Sequence, residues 1–240
     1  MKQTYAHDRS QASEAQIKQR ARKLVAPVAP HLRGKILDVG CSVGGCMVEF
    51  KRLGLDPVGV DMGPDLIDEC KARGLEARIA DLASGLPFPD HSFDTVFASH
   101  VVEHLYDPFS MLLECHRVLK PGGTLALILP NSMNLRRAAF MRGHVNYYDV
   151  DTVYYVLRST GFEPISIKAD LPLANRIDVD VPLTPGNWAS PVQRAVLRFL
   201  PVFHLGINLF AVGRRTLTAG PSGARDARGE TSEADVVYNR

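Results

Sequence analysis

Lys35-Ile-Leu-Asp-Val-Gly-Cys-Ser-Val-Gly-Gly45 is the stretch that decides how this chain folds. It opens on a short apolar run, Ile36-Leu37, passes through Asp38, and turns through Gly40, Ser42, Gly44 and Gly45. An apolar run that ends in a glycine-rich turn predicts a buried strand, Lys35 to Gly40, feeding a helix, Gly44 to Leu53. Glycine carries no Cβ, so the backbone can take positive φ there and lie against a ligand. The helix that follows aims its unpaired N–H groups the same way. The stretch is expected to cradle a cofactor.

Downstream, the same alternation repeats. Strands are predicted at Asp56 to Asp61, Leu75 to Ala80, Phe93 to Ser99 and Thr124 to Leu129, with helices at Gly63 to Arg73 and Pro108 to Leu119 between them. Strands alternating with helices imply parallel βαβ units and a doubly wound α/β sheet. After Asn131 the pattern loosens. A helix over Asp149 to Thr160, a strand over Pro164 to Lys168, an amphipathic helix over Val192 to Leu200 and a strand over Ile207 to Val212 are expected. The late strands bring the count to seven and add an antiparallel edge to a mostly parallel sheet. Residues 1–30 are read as a helical flank or lid and 31–215 as the main domain, with substrate-side insertions at 131–150 and 171–206. Residues 216–240, rich in Gly, Ser, Ala and charge, are read as a disordered tail.

Composition narrows the function. The chain has 240 residues, 45% hydrophobic and 22% charged, with a net charge of +2. That balance does not call for a polyanionic partner. Eight basic residues stand in the first 35 (Lys2, Arg9, Lys18, Arg20, Arg22, Lys23, Arg33, Lys35), and they read as a solvated helix face more readily than as a nucleic-acid site. Cys41, Cys46, Cys70 and Cys115 form no C-x-x-C pair, which points to reduced thiols in a cytoplasmic protein. No signal-type leader is read at the N-terminus, and Arg198, Pro201 and His204 interrupt the most apolar late stretch.

In a doubly wound sheet, ligands bind beyond the carboxyl ends of the strands, at the switch point beside the first one. Gly40, Asp61, Asp81 and Ser99 fall at such ends. Asp61, about twenty residues past the turn, is placed to accept both hydroxyls of a ribose. Asp81 could accept from an exocyclic amine while Leu82 packs a purine face. Each acid alone would equally be a turn or cap residue. A nicotinamide dinucleotide fits less well, because Ser42 holds the second glycine position of G-x-G-x-x-G and Asp38 would repel a pyrophosphate. A carboxylate at position 38 suits a ligand that carries an ammonium group.

Five segments together resemble the class I S-adenosylmethionine-dependent methyltransferases, in particular the small-molecule type with a generic methyltransferase domain. They are Ile36-Leu-Asp-Val-Gly-Cys-Ser-Val-Gly44, Val58-Gly-Val-Asp61, Ala80-Asp81-Leu82, Leu86-Pro-Phe-Pro-Asp-His-Ser-Phe-Asp94 and Arg117-Val-Leu-Lys-Pro-Gly-Gly123. The resemblance covers about 35–130, with a weaker extension through Gly143-His-Val-Asn-Tyr-Tyr148 to the sixth strand. It implies a Rossmann-like fold and S-adenosyl-L-methionine as cofactor. It further implies that Gly40, Ser42 and Gly44 meet the methionine part and that Asp38 holds its amino group. Asp61 would bind the ribose and Asp81 the adenine amine, with Met62 and Leu82 flanking the ring. Ser99 would lie near the methionine end. The departure is Ser42, where the family usually has glycine; its cost is small if φ stays negative.

A sulfonium methyl is already activated, so the protein must align a nucleophile and, for a hydroxyl, remove its proton. Candidate bases are His100 and His104 in Ser99-His-Val-Val-Glu-His104, and His144 beside Tyr147 and Tyr148. For His100 and His104 a packed, hydrogen-bonded ring stands beside the catalytic role. His100 to His104 also spells H-x-x-E-H, but no metal is expected, because that pattern needs both histidines on one helix face. No Asn-Pro-Pro-Tyr follows the fourth strand, as it does in relatives that methylate amide or base nitrogens, so the resemblance implies O-methylation, or methylation of an amine or carbon, with a small molecule, lipid or glycan unit as acceptor. Arg136, Arg137 and Arg142 could receive a phosphate or carboxylate, and read equally as a solvated helix face. The segment Val192 to Leu209 could rest on a membrane surface, but core packing or a dimer face is the plainer reading. Competing readings are a non-catalytic cofactor-binding module or partner subunit, and an NAD-dependent oxidoreductase.

Overall fold

The computed structural model describes residues 13–132, 143–169, 179–180 and 208–216. One eight-stranded sheet runs through them in the order β3-β2-β1-β4-β5-β8-β6-β7. The strands are β1 (Lys35–Val39), β2 (Asp56–Asp61), β3 (Glu76–Ile79), β4 (Phe93–Ser99), β5 (Leu119–Pro130), β6 (Phe162–Ala169), β7 (Val179–Asp180) and β8 (Asn208–Arg215). The helices are α1 (Glu14–Val25), α2 (Gly45–Arg52), α3 (Pro64–Ala72), α4 (Pro108–Val118) and, after the second described segment begins, α5 (Val150–Ser159).

Strands β1 to β5 are all parallel. From β1 the chain builds outward through β2 and β3 on one side, then returns to β1 and builds through β4 and β5 on the other. The strand order therefore reverses beside β1, and in sheets of this kind the ligand crevice lies beyond the carboxyl ends of the strands at that point, here β1 and β4. The antiparallel element is β8, which pairs with β5 on one side and β6 on the other. The two-residue β7 adds an antiparallel edge on β6.

Both faces of the sheet are buried, and the period-2 geometry of strands sorts their side chains. Leu37, Val39, Val96, Ala98, Leu125 and Leu127 enter one core cluster. Ile36, Phe97, Ala126 and Ile128, their neighbours in sequence, enter the other. There Phe97 meets Phe50 of α2 edge to face, ring centroids 5.1 Å apart. Helix α1 starts at a capping box, in which the Gln16 N–H donates to Ser13 Oγ and the Ser13 N–H donates to Gln16 Oε1. It lies so close to α2 that a Cβ on Gly45 would come within 2.8 Å of Ile17.

One expectation needs correction. Lys120-Pro-Gly-Gly123 does not separate α4 from β5. The strand starts at Leu119, which pairs with Phe93, and the ladder shifts register before resuming at Thr95–Thr124. Of the two tyrosines beside His144, Tyr148 is buried in the core and Tyr147 is exposed. The expected helix Val192 to Leu200, the cluster Arg136, Arg137 and Arg142, and the tail after Thr216 lie outside the described residues. Of the segment Val192 to Leu209, only Asn208 and Leu209 are described, and both belong to β8.

Candidate functional site

The glycine-rich turn leaves β1 at Val39. Gly40 takes φ 72°, and its N–H and that of Cys41 both donate to the Val60 carbonyl of β2 (2.8 and 3.0 Å). Gly44, at φ 79°, is the N-cap of α2 and offers no side-chain cap to the first-turn N–H groups of that helix. Both glycines are also demanded by the protein's own packing. A Cβ on Gly40 would fall 2.4 Å from Val101 Cγ2, and one on Gly44 would fall 2.4 Å from Leu75 Cδ1. Ser42 does not keep negative φ; it sits at φ 50°. A non-glycine residue pays roughly 1–2 kcal/mol for that region. Two thiols hold the turn there: Cys70 Sγ donates to the Ser42 carbonyl at 3.1 Å, and Cys41 Sγ at 3.7 Å.

The three acids are arranged differently from one another. Asp38 on β1 is 2% exposed, and its Oδ2 is buried with no hydrogen-bond partner among the described residues. Burial, then the proximity of Cys70 and Asp61, pushes its carboxyl well above the usual carboxylate range. Asp61, at the end of β2, accepts the Ser42 N–H at Oδ2 (2.9 Å) and the Gly63 N–H at Oδ1 (3.0 Å), so it braces the turn. Asp81 is exposed and caps the short 3-10 turn Leu82–Ser84 through Ala83 N–H (3.0 Å). Met62 and Leu82 follow these two strand ends; Met62 is 58% exposed and Leu82 half-buried. Ser99 closes β4 with a buried Oγ that has no partner among the described residues. Since Val39 pairs with Ala98, Asp38 and Ser99 sit at the ends of neighbouring strands.

Past Ser99 the backbone turns sharply. His100 takes φ 56°, and a 3-10 turn, Val102–His104, follows. That turn buries Glu103 completely. His100 Nδ1–H donates to Glu103 Oε1 at 3.2 Å, while Oε2 has no partner among the described residues. The segment from Gly143 to Tyr148 is stitched onto the same turn. Val145 and Asn146 N–H donate to the Glu103 carbonyl (2.9 and 3.2 Å), and Asn146 Nδ2 donates to the Leu105 carbonyl (2.6 Å). A carbonyl only accepts, so His104 Nδ1 carries the proton it donates to Gly143 O (3.1 Å). His104 Nε2 then faces Glu103 Oε1 at 4.0 Å. The His104 and His144 rings meet edge to face at 4.7 Å.

The structure thus draws His100, His104 and His144 together, around a residue that the pattern of histidines does not single out. Glu103 reads in sequence as one acid in a turn; only the irregular backbone after β4 reveals that it is buried. Val101, two positions before it, presses on Gly40, so the turn and the histidine cluster share a wall. The Arg117 motif lies elsewhere, at the amino end of β4, where it joins the loop before Phe93.

A family model described as methyltransferase domain matches residues 37–127. The chain is 33% identical over 154 residues to a probable methyltransferase, ltbC, of Aspergillus luteorubrus, covering 53% of this chain and 54% of that protein. It is 34% identical over 115 residues to the ubiquinone biosynthesis O-methyltransferase of Xanthomonas campestris pv. campestris, covering 44% and 46%. The chain spans about half the length of the curated relatives it matches. Among solved structures, a SAM dependent methyltransferase of Archaeoglobus fulgidus shares the fold with TM-score 0.64 and 20% identity, over 85% of this chain and 95% of that one. A Haloferax volcanii methyltransferase in complex with its Trm112 activator does so with TM-score 0.68 and 19% identity, over 89% and 97%.

Proposed function

We propose that the chain is a class I S-adenosylmethionine-dependent methyltransferase and that it transfers the cofactor's methyl group to an oxygen of a small-molecule, lipid or glycan acceptor; the methyltransferase-domain match over residues 37–127, the shared fold and the curated relatives support this. The observation that supports this best is the pair of buried polar atoms at adjacent strand ends, Asp38 Oδ2 and Ser99 Oγ, that have no partner among the described residues. A buried polar group without a partner costs about 1–3 kcal/mol, and a ligand that supplies the partner recovers it. An ammonium and carboxylate at the methionine end of the cofactor match that need. The residues present fit the group.

In this reading Asp38 receives the ammonium, and Gly40, Ser42 and Gly44 shape the backbone around the methionine part. Asp61 accepts from the ribose hydroxyls with the lone pairs that Ser42 and Gly63 leave open. Asp81 accepts from the adenine amine, and Met62 and Leu82 cover the ring's faces. The bound cofactor supplies an electrophilic methyl on a sulfonium. His100, His104 and His144 face the acceptor around Glu103, and the acceptor oxygen loses its proton at this cluster. The O-methyl choice draws on the absence of Asn-Pro-Pro-Tyr after β4, where Ser99-His-Val-Val-Glu103 stands instead, and on the name of the Xanthomonas relatives.

We place the protein in a reducing compartment, in keeping with four unbridged cysteines. No described helix is long and apolar enough to cross a membrane. The test is methyl transfer from labelled cofactor over fractionated metabolites and lipids. Labelled product together with S-adenosylhomocysteine is the expected result. Tight cofactor binding with no turnover would leave a binding module, and tight NADH binding without S-adenosylmethionine binding would leave an oxidoreductase.

A further inference from the structure

We propose that Glu103, His104 and His144 hold a divalent first-row metal ion at the acceptor side of the crevice. The inference rests on the methyl-transfer reading for its chemistry but not for its geometry. The ligand-type atoms of these three side chains all lie within 4.8 Å of one another. Bonds of about 2.0–2.2 Å to a common centre require them to draw in by roughly an ångström.

Two features point to a ligand here. Glu103 is fully buried, and its Oε2 has no partner among the described residues although Oε1 is already held by His100. A carboxyl removed from water with one oxygen unsatisfied is costly in a structural role. The outer contacts that metal ligands use are also in place. His104 gives its Nδ1–H to the Gly143 carbonyl, which turns Nε2 toward Glu103. His100 holds the Glu103 carboxyl from the other side. Orienting contacts of this kind surround metal-bound histidines and carboxylates.

Two imidazoles and one carboxyl suit zinc, manganese, iron or cobalt in the divalent state better than magnesium or calcium. The set is not the H-x-x-E-H pair of the sequence. His144 comes in from the segment after Gly143, and His100 stays outside the group. Three protein ligands leave positions open on the side where His104 is one-third exposed. A hydroxyl acceptor bound there would acidify, as metal-bound water does. Its O–H bond breaks and the proton goes to solvent. The oxygen then forms the new bond to the methyl carbon while the S–C bond breaks, with the electron pair remaining on sulfur. The favoured acceptor is therefore a hydroxyl compound, and no separate base is needed.

The test uses the full chain, stripped with EDTA and titrated with Co²⁺ while its visible bands are followed, with Zn²⁺ as competitor. One saturable equivalent is expected. His104→Ala and His144→Ala should each weaken it at least tenfold, and His91→Ala, at an exposed position, should leave it unchanged. Glu103→Gln should also weaken it; if that buried variant fails to fold, His144→Ala decides. No saturable binding, or losses no larger than in His91→Ala, overturns the proposal. S-adenosylmethionine is titrated into the same samples. A chain that binds cofactor but no cation overturns this inference alone, whereas a chain that binds cation but no cofactor keeps the metal site and overturns the methyl-transfer reading.

Discussion

Strand β4 has a polar cluster at each end, and the two are built on opposite terms. At its amino end Arg117 spends all five of its N–H groups. Nε and Nη2 donate to Glu114 (2.8 and 2.7 Å), Nη1 to Asp90 and the Phe88 carbonyl (2.8 and 2.9 Å), and Nη2 also to the Leu86 carbonyl (3.0 Å). Glu114 Oε2 accepts the Leu86 N–H in turn (2.9 Å). The pairing raises the Arg117 guanidinium above its ordinary range and lowers the Glu114 carboxyl below its own. At the carboxyl end Glu103 is buried with one oxygen engaged and one not. A network with every donor and acceptor used can only hold shape, and one with a vacancy can take a ligand. Yet the Arg117 end carries two of the five segments that resemble methyltransferases, Leu86 to Asp94 and Arg117 to Gly123.

The contrast predicts that activity and stability separate along β4. The largest effect is expected for Glu103→Gln: a fall in kcat of about 100-fold or more, with the melting temperature shifted by no more than about 3 °C. A melting temperature that collapses together with activity would break the contrast. Next is Asp38→Asn, which should weaken S-adenosylmethionine binding about 30-fold by calorimetry, near 2 kcal/mol.

Asp38 also sets a pH dependence. Its carboxyl binds a proton more tightly in the folded chain than in the unfolded one, because burial, then Cys70 and Asp61, raise it from 3.8. The cofactor-free chain is therefore stabilised below that ordinary value, and this contribution is lost as pH rises toward the raised folded value. Melts of the cofactor-free protein between about pH 4 and about pH 7 should show the decline, and Asp38→Asn should flatten it. Equal slopes in the two proteins would assign the dependence to other groups.

Arg117→Ala should do the reverse of Glu103→Gln. Half-exposed partners discount the ion pairs, but three carbonyl and carboxylate anchors of the 86–90 loop go with them. A loss of about 2 kcal/mol, or about 4–8 °C, is expected, with cofactor affinity changed less than about threefold. A large loss of affinity would show that the clamp reaches the crevice. The smallest effect belongs to Ser42→Gly, which relieves a positive φ and adds chain entropy to the unfolded state. The net gain should stay within about 1 kcal/mol in denaturant melts, and a clear loss would mean that the serine side chain itself anchors the turn.

Much of the fold was legible because apolar runs of five to seven residues alternate with glycine- and proline-marked ends between Lys35 and Pro130. Asp56–Asp61 and Phe93–Ser99 are recovered to the residue. What was hidden depends on contacts distant in sequence. Leu119 joins β5 because Phe93 waits beside it, across a proline and two glycines that locally read as a break. Ser42 takes positive φ because Asp61, nineteen residues on, fixes its N–H. The acids Asp38, Asp61 and Asp81 could be placed near one crevice, but their states could not. One is buried and raised, one braces the turn and one is an exposed cap. Glu103 was harder still, since its burial follows from a backbone irregularity at His100 and from a segment forty residues away.

The place of β8 has a consequence for how the chain comes together. It forms seven residue pairs with β5, from Thr124–Arg214 to Pro130–Asn208, and also carries β6 on its other side. During synthesis β5 and β6 leave the ribosome well before the strand that must lie between them. Until residues 208–215 emerge, β5 keeps an open edge in the middle of the future sheet, and β6 has nothing to join it to β5. The parallel half, β1 to β5, can form early as a five-stranded unit, but the sheet as a whole is closed by one of the last described strands, inserted like a keystone from the opposite direction.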